Sequence, residues 1–147
     1  MPLSAIVVDE PADAVAIAVR LEGRPGLSLL HSAGAPDRGG TSYVACDPVE
    51  TCSSLLPDLA AFELTHAEDT RGRAPRWIGA IPYEHARCLE RPGWTRHPDE
   101  RPRPHLSRPI WHRYEAVVEV DAAAGIVRVV GDNPVRVDAL ARRIGVS

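Results

Sequence analysis

The stretch YEAVVEVDAAAGIVRVV, residues 114–130, decides the fold of this chain. Residues 114–120 and 126–130 are two valine-rich runs of the kind that forms β-strands. Between them lie Asp121 and four small residues, of which Gly125 can adopt the positive φ that a tight turn requires. The stretch therefore predicts a β-hairpin.

A helix is predicted directly after this hairpin. Asn133 is a suitable N-cap, and Pro134 suits the first helical position, where an N–H group would have no partner. Val137, Leu140 and Ile144 then recur on one face, which predicts that this face is buried. Three arginines are expected on the other faces: Arg136, Arg142 and Arg143.

The N-terminal part of the chain predicts a strand followed by a helix. Residues 4–8 form a short apolar run with β-branched character, which is typical of a strand. Residues 9–11, with two acids and a proline, have the composition of a helix start. Residues 12–21 are alanine-rich and apolar on most sides, so we expect a well-buried helix that ends at residues 23–26.

A second hairpin is predicted in the middle of the chain. Residues 27–33 and 41–46 have the pattern of two strands, and residues 34–40 form a long polar loop between them. Residues 49–55 favour a further strand, while residues 59–65 fit a strand and a short helix equally well.

Gly79 interrupts the apolar run of residues 77–83. A glycine inside a strand indicates that something approaches the backbone closely, either a neighbouring element or a ligand. Trp77 and Trp111 lie in apolar strand contexts, where we expect core packing.

Residues 91–109 contain five prolines and five arginines and predict a long surface excursion rather than a packed element. Trp94 lies within this stretch. An exposed aromatic residue there is a candidate for a surface that contacts a partner.

The whole chain, residues 1–147, is expected to form one α+β domain with antiparallel sheet, because hairpins join most of its strands. Its net charge of -3 gives no argument for nucleic acid or for an acidic membrane as a partner. No apolar run approaches the roughly 20 residues that span a bilayer. The N-terminus shows no signal-peptide pattern, so we expect a cytoplasmic protein.

The reactive residue types give little support for catalysis. Cys46, Cys52 and Cys88 are odd in number and lack metal-ligand spacing, so we expect reduced, partly buried thiols. The six histidines are scattered, which predicts no metal site. All 17 basic residues are arginines, and the absence of lysine excludes Schiff-base chemistry and a P-loop lysine.

A Ser-His-Asp triad of His31, Ser32 and Asp47 is not expected. Adjacent residues on a strand point to opposite faces, so His31 is poorly placed to act as a base for Ser32. The sequence also lacks a G-x-S-x-G nucleophile elbow, and no catalytic residue is predicted.

Ser32 is instead the centre of the best small-molecule site. Its hydroxyl on an inward-facing strand, the RGGT sequence at residues 38–41 and a facing strand with Gly79 could hold the polar end of an amino acid. A hairpin packed on a sheet without any ligand would give the same pattern.

Four stretches together resemble a known family. LLHSA at residues 29–33, SYVACDP at 42–48, WIGAIPYE at 77–84 and IWHRYEAVVEVDAAAGIVRVVGD at 110–132 resemble the N-terminal region of component I of anthranilate synthase and aminodeoxychorismate synthase. The resemblance covers nearly the whole chain, in the order of the family. With His31 at its third position, the LLHSA stretch is more similar to aminodeoxychorismate synthase, because anthranilate synthases usually carry a glutamate there.

The resemblance implies a fold and a reaction. In that family the N-terminal region is an antiparallel β-sandwich with flanking helices and a tryptophan-binding pocket. The pocket is the feedback site of anthranilate synthase, and its tryptophan is structural in aminodeoxychorismate synthase. Component I combines chorismate with ammonia from a glutamine amidotransferase partner, with magnesium, to give an aminated chorismate.

The same resemblance implies the residues of the tryptophan pocket. The family usually has a cluster with an aromatic and a basic side chain where this sequence has Gly39, Gly40 and Thr41. These positions therefore offer backbone groups more than side chains. The implied tryptophan-binding residues are Leu30, Ser32, Arg38, Gly39, Gly40 and Thr41.

The chorismate-binding half of the family would follow the last helix, whereas this chain ends at Ser147. The magnesium-binding glutamates and the catalytic lysine belong to that half, so this chain alone is expected to have no cofactor and no catalytic activity. We expect it to support chorismate amination by a separate catalytic chain, in folate or tryptophan biosynthesis, as the product of a split or truncated gene. The alternative is a free-standing amino-acid-binding or regulatory module without an enzymatic partner.

Overall fold

The computed structural model describes residues 4–32, 40–54, 74–82, 106 and 108–145. These residues form eight strands and two helices. The strands are β1 Ser4–Val8, β2 Ser28–Leu30, β3 Thr41–Ala45, β4 Glu50–Cys52, β5 Trp77–Ala80, β6 Ile110–Arg113, β7 Ala116–Asp121 and β8 Ile126–Gly131. The helices are α1 Ala14–Arg20 and α2 Pro134–Ile144.

The predicted hairpin of residues 114–130 is confirmed and occupies the middle of the larger sheet. Strands β7 and β8 pair in antiparallel fashion, and Gly125 in their turn has a φ of 66°. The five-stranded sheet has the order β1-β8-β7-β3-β2, and a three-stranded sheet has the order β4-β6-β5. Every strand pair in both sheets is antiparallel.

The five-stranded sheet has an apolar core on each face. Alternation of side chains along its strands sends Val44, Val118 and Val129 to one face, where they pack against both helices. Ala45, Val117 and Val130 point the other way and pack with Ile78 of the small sheet and with Tyr114. The predicted α+β class with sheets packed as a sandwich and flanking helices is therefore confirmed.

Helix α1 begins later than the sequence suggested. The Asp13 side chain accepts hydrogen bonds from the backbone N–H groups of Val15 and Ala16 at 2.9 and 3.0 Å, so Asp13 is the N-cap. Residues 9–11 therefore lie before the helix. The expectation of a well-buried helix is also wrong, because Val15 and Val19 are 46% and 63% exposed on the face away from the sheet.

Helix α2 follows the prediction closely. The Asn133 side chain accepts hydrogen bonds from the N–H groups of Val135 and Arg136, and Pro134 occupies the first turn. The predicted apolar face is buried at Val137, Leu140 and Ile144. The three arginines on the other faces are exposed: Arg136, Arg142 and Arg143.

The second predicted hairpin is also present, with a shorter first strand. Strands β2 and β3 pair from Ser28 opposite Ala45 to Leu30 opposite Tyr43. Strand β4 lies within the predicted 49–55 segment. Residues 59–65, Trp94 and most of the 91–109 excursion lie outside the described residues.

Gly79 does accommodate a close neighbour, and that neighbour is the adjacent strand. A Cβ atom at this position would lie 2.3 Å from the carbonyl oxygen of Ile110 and 2.4 Å from Cε3 of Trp111. The register pairs Gly79 with Trp111 and Trp77 with Arg113, whereas Ile78 faces the core. Both tryptophans are half-buried on the face of the small sheet opposite to Ile78, outside the two apolar cores formed by the described residues.

In the part of the chain that the structure describes, no helix is long and apolar enough to cross a membrane.

Candidate functional site

The pairing of β2 with β3 brings together those predicted site residues that the structure describes. Leu30 ends β2 and Thr41 begins β3, so both lie at the same end of this hairpin. Ser32 and Gly40 continue the two strands beyond that end. Arg38 and Gly39 lie outside the described residues.

Ser32 and Gly40 are in direct contact. A Cβ atom on Gly40 would lie 1.8 Å from Oγ of Ser32, a separation that real atoms cannot adopt. Glycine at position 40 therefore allows the Ser32 hydroxyl to lie against the backbone of the opposite strand.

Ser42 fixes the position of Ser32 from within the sheet. Its side chain is buried, and its Oγ accepts a hydrogen bond from the N–H of Ser32 at 3.0 Å. Nδ1 of the exposed His31 lies 3.3 Å from the same oxygen.

Among the described strands, β2 is an edge of the larger sheet, and the site lies at this edge. Leu29 and Leu30 are 37% and 43% exposed, Thr41 is exposed and Ser32 is half-buried. Gly79 is exposed and lies against Trp111 on the face of the small sheet opposite to Ile78, so it does not form the facing wall expected from the sequence. The described residues form one apolar and hydroxyl-bearing wall.

Asp47 lies at the other end of β3, away from this site, and is engaged by two arginines. Its Oδ2 atom accepts hydrogen bonds from Nη2 of Arg24 at 2.7 Å and from Nη1 of Arg143 at 3.0 Å. Its N–H donates to the carbonyl of Pro25 at 2.8 Å. The carboxylate therefore serves neither His31 nor Ser32, and these residues do not form a triad.

A small pocket lies beside Asp47. Its cavity volume is about 80 Å³, which suits a group of a few atoms, since a cavity of about 150 Å³ accommodates benzene. Each guanidinium in its wall faces a carboxylate: Arg24 and Arg143 contact Asp47, and Nε of Arg136 is 4.0 Å from Glu115. We interpret this group as an ion-pair network that joins α2 to the ends of α1 and β3.

Cys46 lines the same pocket, and its thiol is buried and free. Burial, followed by the adjacent negative charge of Asp47, raises the pKa of Cys46 to about 11. The thiol is therefore protonated at neutral pH and is a poor nucleophile. Cys52 is also free, and Cys88 lies outside the described residues.

We expect Cys46 to resist alkylation in the folded protein. In a variant with Cys52 and Cys88 replaced by serine, iodoacetamide at pH 7 should label Cys46 only as fast as the protein opens, and urea should accelerate the reaction. The matched variant that retains only the half-exposed Cys52 should react faster. Prompt, complete labelling of Cys46 in native protein would contradict this expectation.

Asp47 should make the free energy of unfolding depend on pH in the acid range. Burial alone would raise the pKa of Asp47, but the hydrogen bonds and positive charge of Arg24, with smaller contributions from Cys46 and Arg143, lower it below the ordinary value. Since the folded-state pKa is depressed, the stabilisation is present above the unfolded pKa of about 4 and is lost as pH falls through the folded value.

The Asp47→Asn variant tests this expectation, because asparagine tolerates the φ of 56° at this position. Urea unfolding should show the variant to be less stable at pH 7, with the difference from the original protein shrinking below about pH 4. Asp9→Asn, at an exposed aspartate, is the control. An Asp47→Asn difference that stays constant with pH would rule out the charge contribution.

Histidine and carboxylate residues do not gather around a metal position in the described ranges. Nowhere among these residues do three His, Cys, Asp or Glu side chains form a group that could hold a metal ion. His112 instead makes a 2.9 Å contact between Nδ1 and Oγ1 of Thr51 on the neighbouring strand. His66, His85, His97 and His105 lie outside the described residues.

Sequence reasoning missed Ser42 and the partners of Asp47. Alternation along β3 could have identified Ser42 as a hydroxyl on the helix-covered face, between Thr41 and Tyr43 on the opposite face. Asp47 has a φ of 56° although the proline that follows favours an extended conformation, so no local pattern indicated this conformation. No local pattern points from Asp47 to Arg143, which is 96 residues away.

No protein-family model matches this chain, and no curated protein is significantly similar to it. The resemblance described above therefore rests on its four stretches of sequence.

Proposed function

We propose that this chain is the non-catalytic, tryptophan-binding domain of a chorismate-amination synthase and acts with a separate catalytic chain. The support is the position of the four resembling stretches in the fold. LLHSA includes the end of β2, SYVACDP includes most of β3, WIGAIPYE begins with β5, and the longest stretch spans β6 to β8. Strand pairs β2-β3, β3-β7 and β5-β6 connect them within the two sheets.

The contact between Ser32 and Gly40 is the observation that carries the ligand site. The half-buried Ser32 hydroxyl lies beside the half-buried backbone of Gly40 at the end of the hairpin, and in this proposal these groups form hydrogen bonds with the polar end of an amino acid. Leu30 nearby offers apolar surface to the ligand side chain. Tryptophan is the proposed ligand, in keeping with the resembling family.

In this proposal the catalytic chain binds chorismate and magnesium, and a glutamine amidotransferase supplies ammonia, all in the cytoplasm. The present chain supports the catalytic chain. His31 at the third position of LLHSA favours aminodeoxychorismate over anthranilate as the product.

Co-expression with the chorismate-binding polypeptide of the same organism tests the catalytic part of the proposal. We expect the two chains to co-purify, and the complex to convert chorismate and ammonium with magnesium to an aminated product. The catalytic chain alone should be less stable or less active. Failure of this chain to bind, stabilise or activate that polypeptide would overturn the proposal.

A free-standing amino-acid-binding module is the second candidate, favoured by the hydroxyl site being assembled within one chain. Calorimetric titration of the isolated protein with tryptophan separates the two. Saturable binding that is lost in Ser32→Ala and kept in Ser53→Ala, at an exposed serine, would establish the site. Such binding without any interaction with a catalytic chain would favour the module.

A further inference from the structure

Strand β1 forms an open edge of the five-stranded sheet. It pairs with β8 without interruption from Ser4 opposite Gly131 to Val8 opposite Val127. Within the described ranges, no strand pairs with its other side. Such an edge presents unpaired N–H and C=O groups that can receive another strand.

This edge lacks the features by which proteins usually prevent edge pairing. Residues 4–8 contain no charged residue and no proline, and the continuous register leaves no bulge. Val7 is 71% exposed. The opposite edge of the sheet differs, because β2 is only three residues long.

We propose that β1 is a self-association edge, at which two copies of this chain pair their β1 strands in antiparallel orientation. A two-fold axis through Ile6 would join the two five-stranded sheets into one continuous sheet. This inference is independent of the proposed role in chorismate amination.

The side chains of β1 are complementary to themselves in this register. With Ile6 on the axis, Ala5 lies opposite Val7 of the second copy, so a small side chain meets a large exposed one. On the other face, Ile6 and Val8 already pack against the helix-side core, and Ser4 lies opposite Val8 of the second copy. No like charges meet along the paired strands.

Helix α2 adds complementary charge beside the same edge. Its C-terminus reaches β1, where a Cβ atom on Gly145 would lie 3.2 Å from Cγ1 of Val8. Arg136 and Arg143 face the pocket next to β3 and β7, so helical spacing places Asp138 and Arg142 on the opposite flank, toward β1.

The two-fold axis makes the copies of α2 antiparallel. Within one chain Nη2 of Arg142 donates to Oδ2 of Asp138 at 2.5 Å, and both side chains are largely exposed. The axis sets this pair against the same pair in reversed order, so Asp138 of one copy is directed toward Arg142 of the other. Opposite charges therefore face each other across the axis. This charge pattern favours a second copy over an unrelated strand as the occupant.

Sedimentation equilibrium over a range of protein concentrations tests the inference. The apparent mass should rise from one chain toward two, with weak affinity because a short strand pair and a helix flank form a small interface. Val7→Lys should raise the dimer dissociation constant at least tenfold, because it places like charges on both sides of the axis. Val19→Lys, at an exposed valine on α1, should leave it unchanged.

A second pair of variants tests the helix contact without altering β1. Asp138→Arg should weaken the dimer, because position 138 of each copy then places a second positive charge opposite Arg142 of the other copy. Adding the Arg142→Asp change should restore the dimer. Hydrogen exchange of residues 4–8 should slow as concentration rises. A single-chain mass at millimolar concentration, equal effects of Val7→Lys and Val19→Lys, or protection of residues 4–8 only by another protein would overturn the proposal.

Discussion

Replacing Tyr114 by alanine is expected to reduce the free energy of unfolding by about 3–5 kcal/mol, the range found for large aromatic side chains removed from cores. Tyr114 is 1% exposed and packs with Ile78, Val117 and Val130 between the two sheets. Truncation would leave a cavity where the sheets meet, and the rigid strands on both sides could collapse only partly into it.

The hydroxyl of Tyr114 adds to this contribution. It donates a hydrogen bond to the carbonyl oxygen of Gly26 at 2.5 Å and lies 2.8 Å from Oγ of Ser28. Oγ of Ser28 also lies 3.2 Å from the same carbonyl oxygen, so Tyr114, Ser28 and Gly26 form one hydrogen-bonded group. Both contacts connect the core to the segment that leads into β2.

Urea unfolding followed by circular dichroism measures the effect, with Tyr114→Phe as the matched control. Phenylalanine keeps the ring and removes only the hydroxyl, so we expect a loss of about 1–3 kcal/mol from the buried groups left without a partner. Equal losses for the two variants would show that the hydroxyl, and not ring packing, accounts for the stabilisation.

Replacing Gly79 by alanine should destabilise the small sheet by about 1–3 kcal/mol or more, as overpacking does elsewhere. The added methyl group would meet the carbonyl oxygen of Ile110 at 2.3 Å, and this atom belongs to the paired backbone of β6. It would also meet the ring of Trp111 at 2.4 Å. This clash can be relieved only if β5 and β6 move apart, which weakens the hydrogen bonds between them.

Thermal unfolding and tryptophan fluorescence together measure this change. We expect a lower Tm and an altered Trp111 emission, since its ring must leave the Gly79 backbone. Gly145→Ala is the control, because its new methyl group would meet its nearest atoms at 3.2 Å. A Gly79→Ala protein with unchanged Tm and emission would contradict the close contact.

The elements predicted well were those whose signals are local. The turn at Gly125 and the cap at Asn133 act within a few residues, so sequence alone identified both. Strand β7 shows the limit: the valine-rich residues 114–120 predict one continuous strand, yet Tyr114 and Glu115 carry the chain from one sheet to the other. The neighbouring sheets decide that break, and no proline or glycine marks it.

The candidate site also has some features that the sequence predicts and others that it does not. Hairpin pairing alone predicts that Leu30 and Thr41 share one end of two strands. The tight contact of Ser32 with Gly40 depends on how the strands continue beyond their paired residues, which periodicity does not describe. The ion pairs of Asp47 depend on segments that meet only in the folded chain.

The short passage between β6 and β7 also couples the movements of the two sheets. Only Tyr114 and Glu115 separate these strands, and so short a connection limits how far the two sheets can move relative to each other. Tyr114 is hydrogen-bonded to Gly26 and Ser28, and three residues from Ser28 to Leu30 make up the strand that leads to Ser32. Through these hydrogen bonds, a displacement of the small sheet is expected to pull on the strand that leads to the candidate site at Ser32.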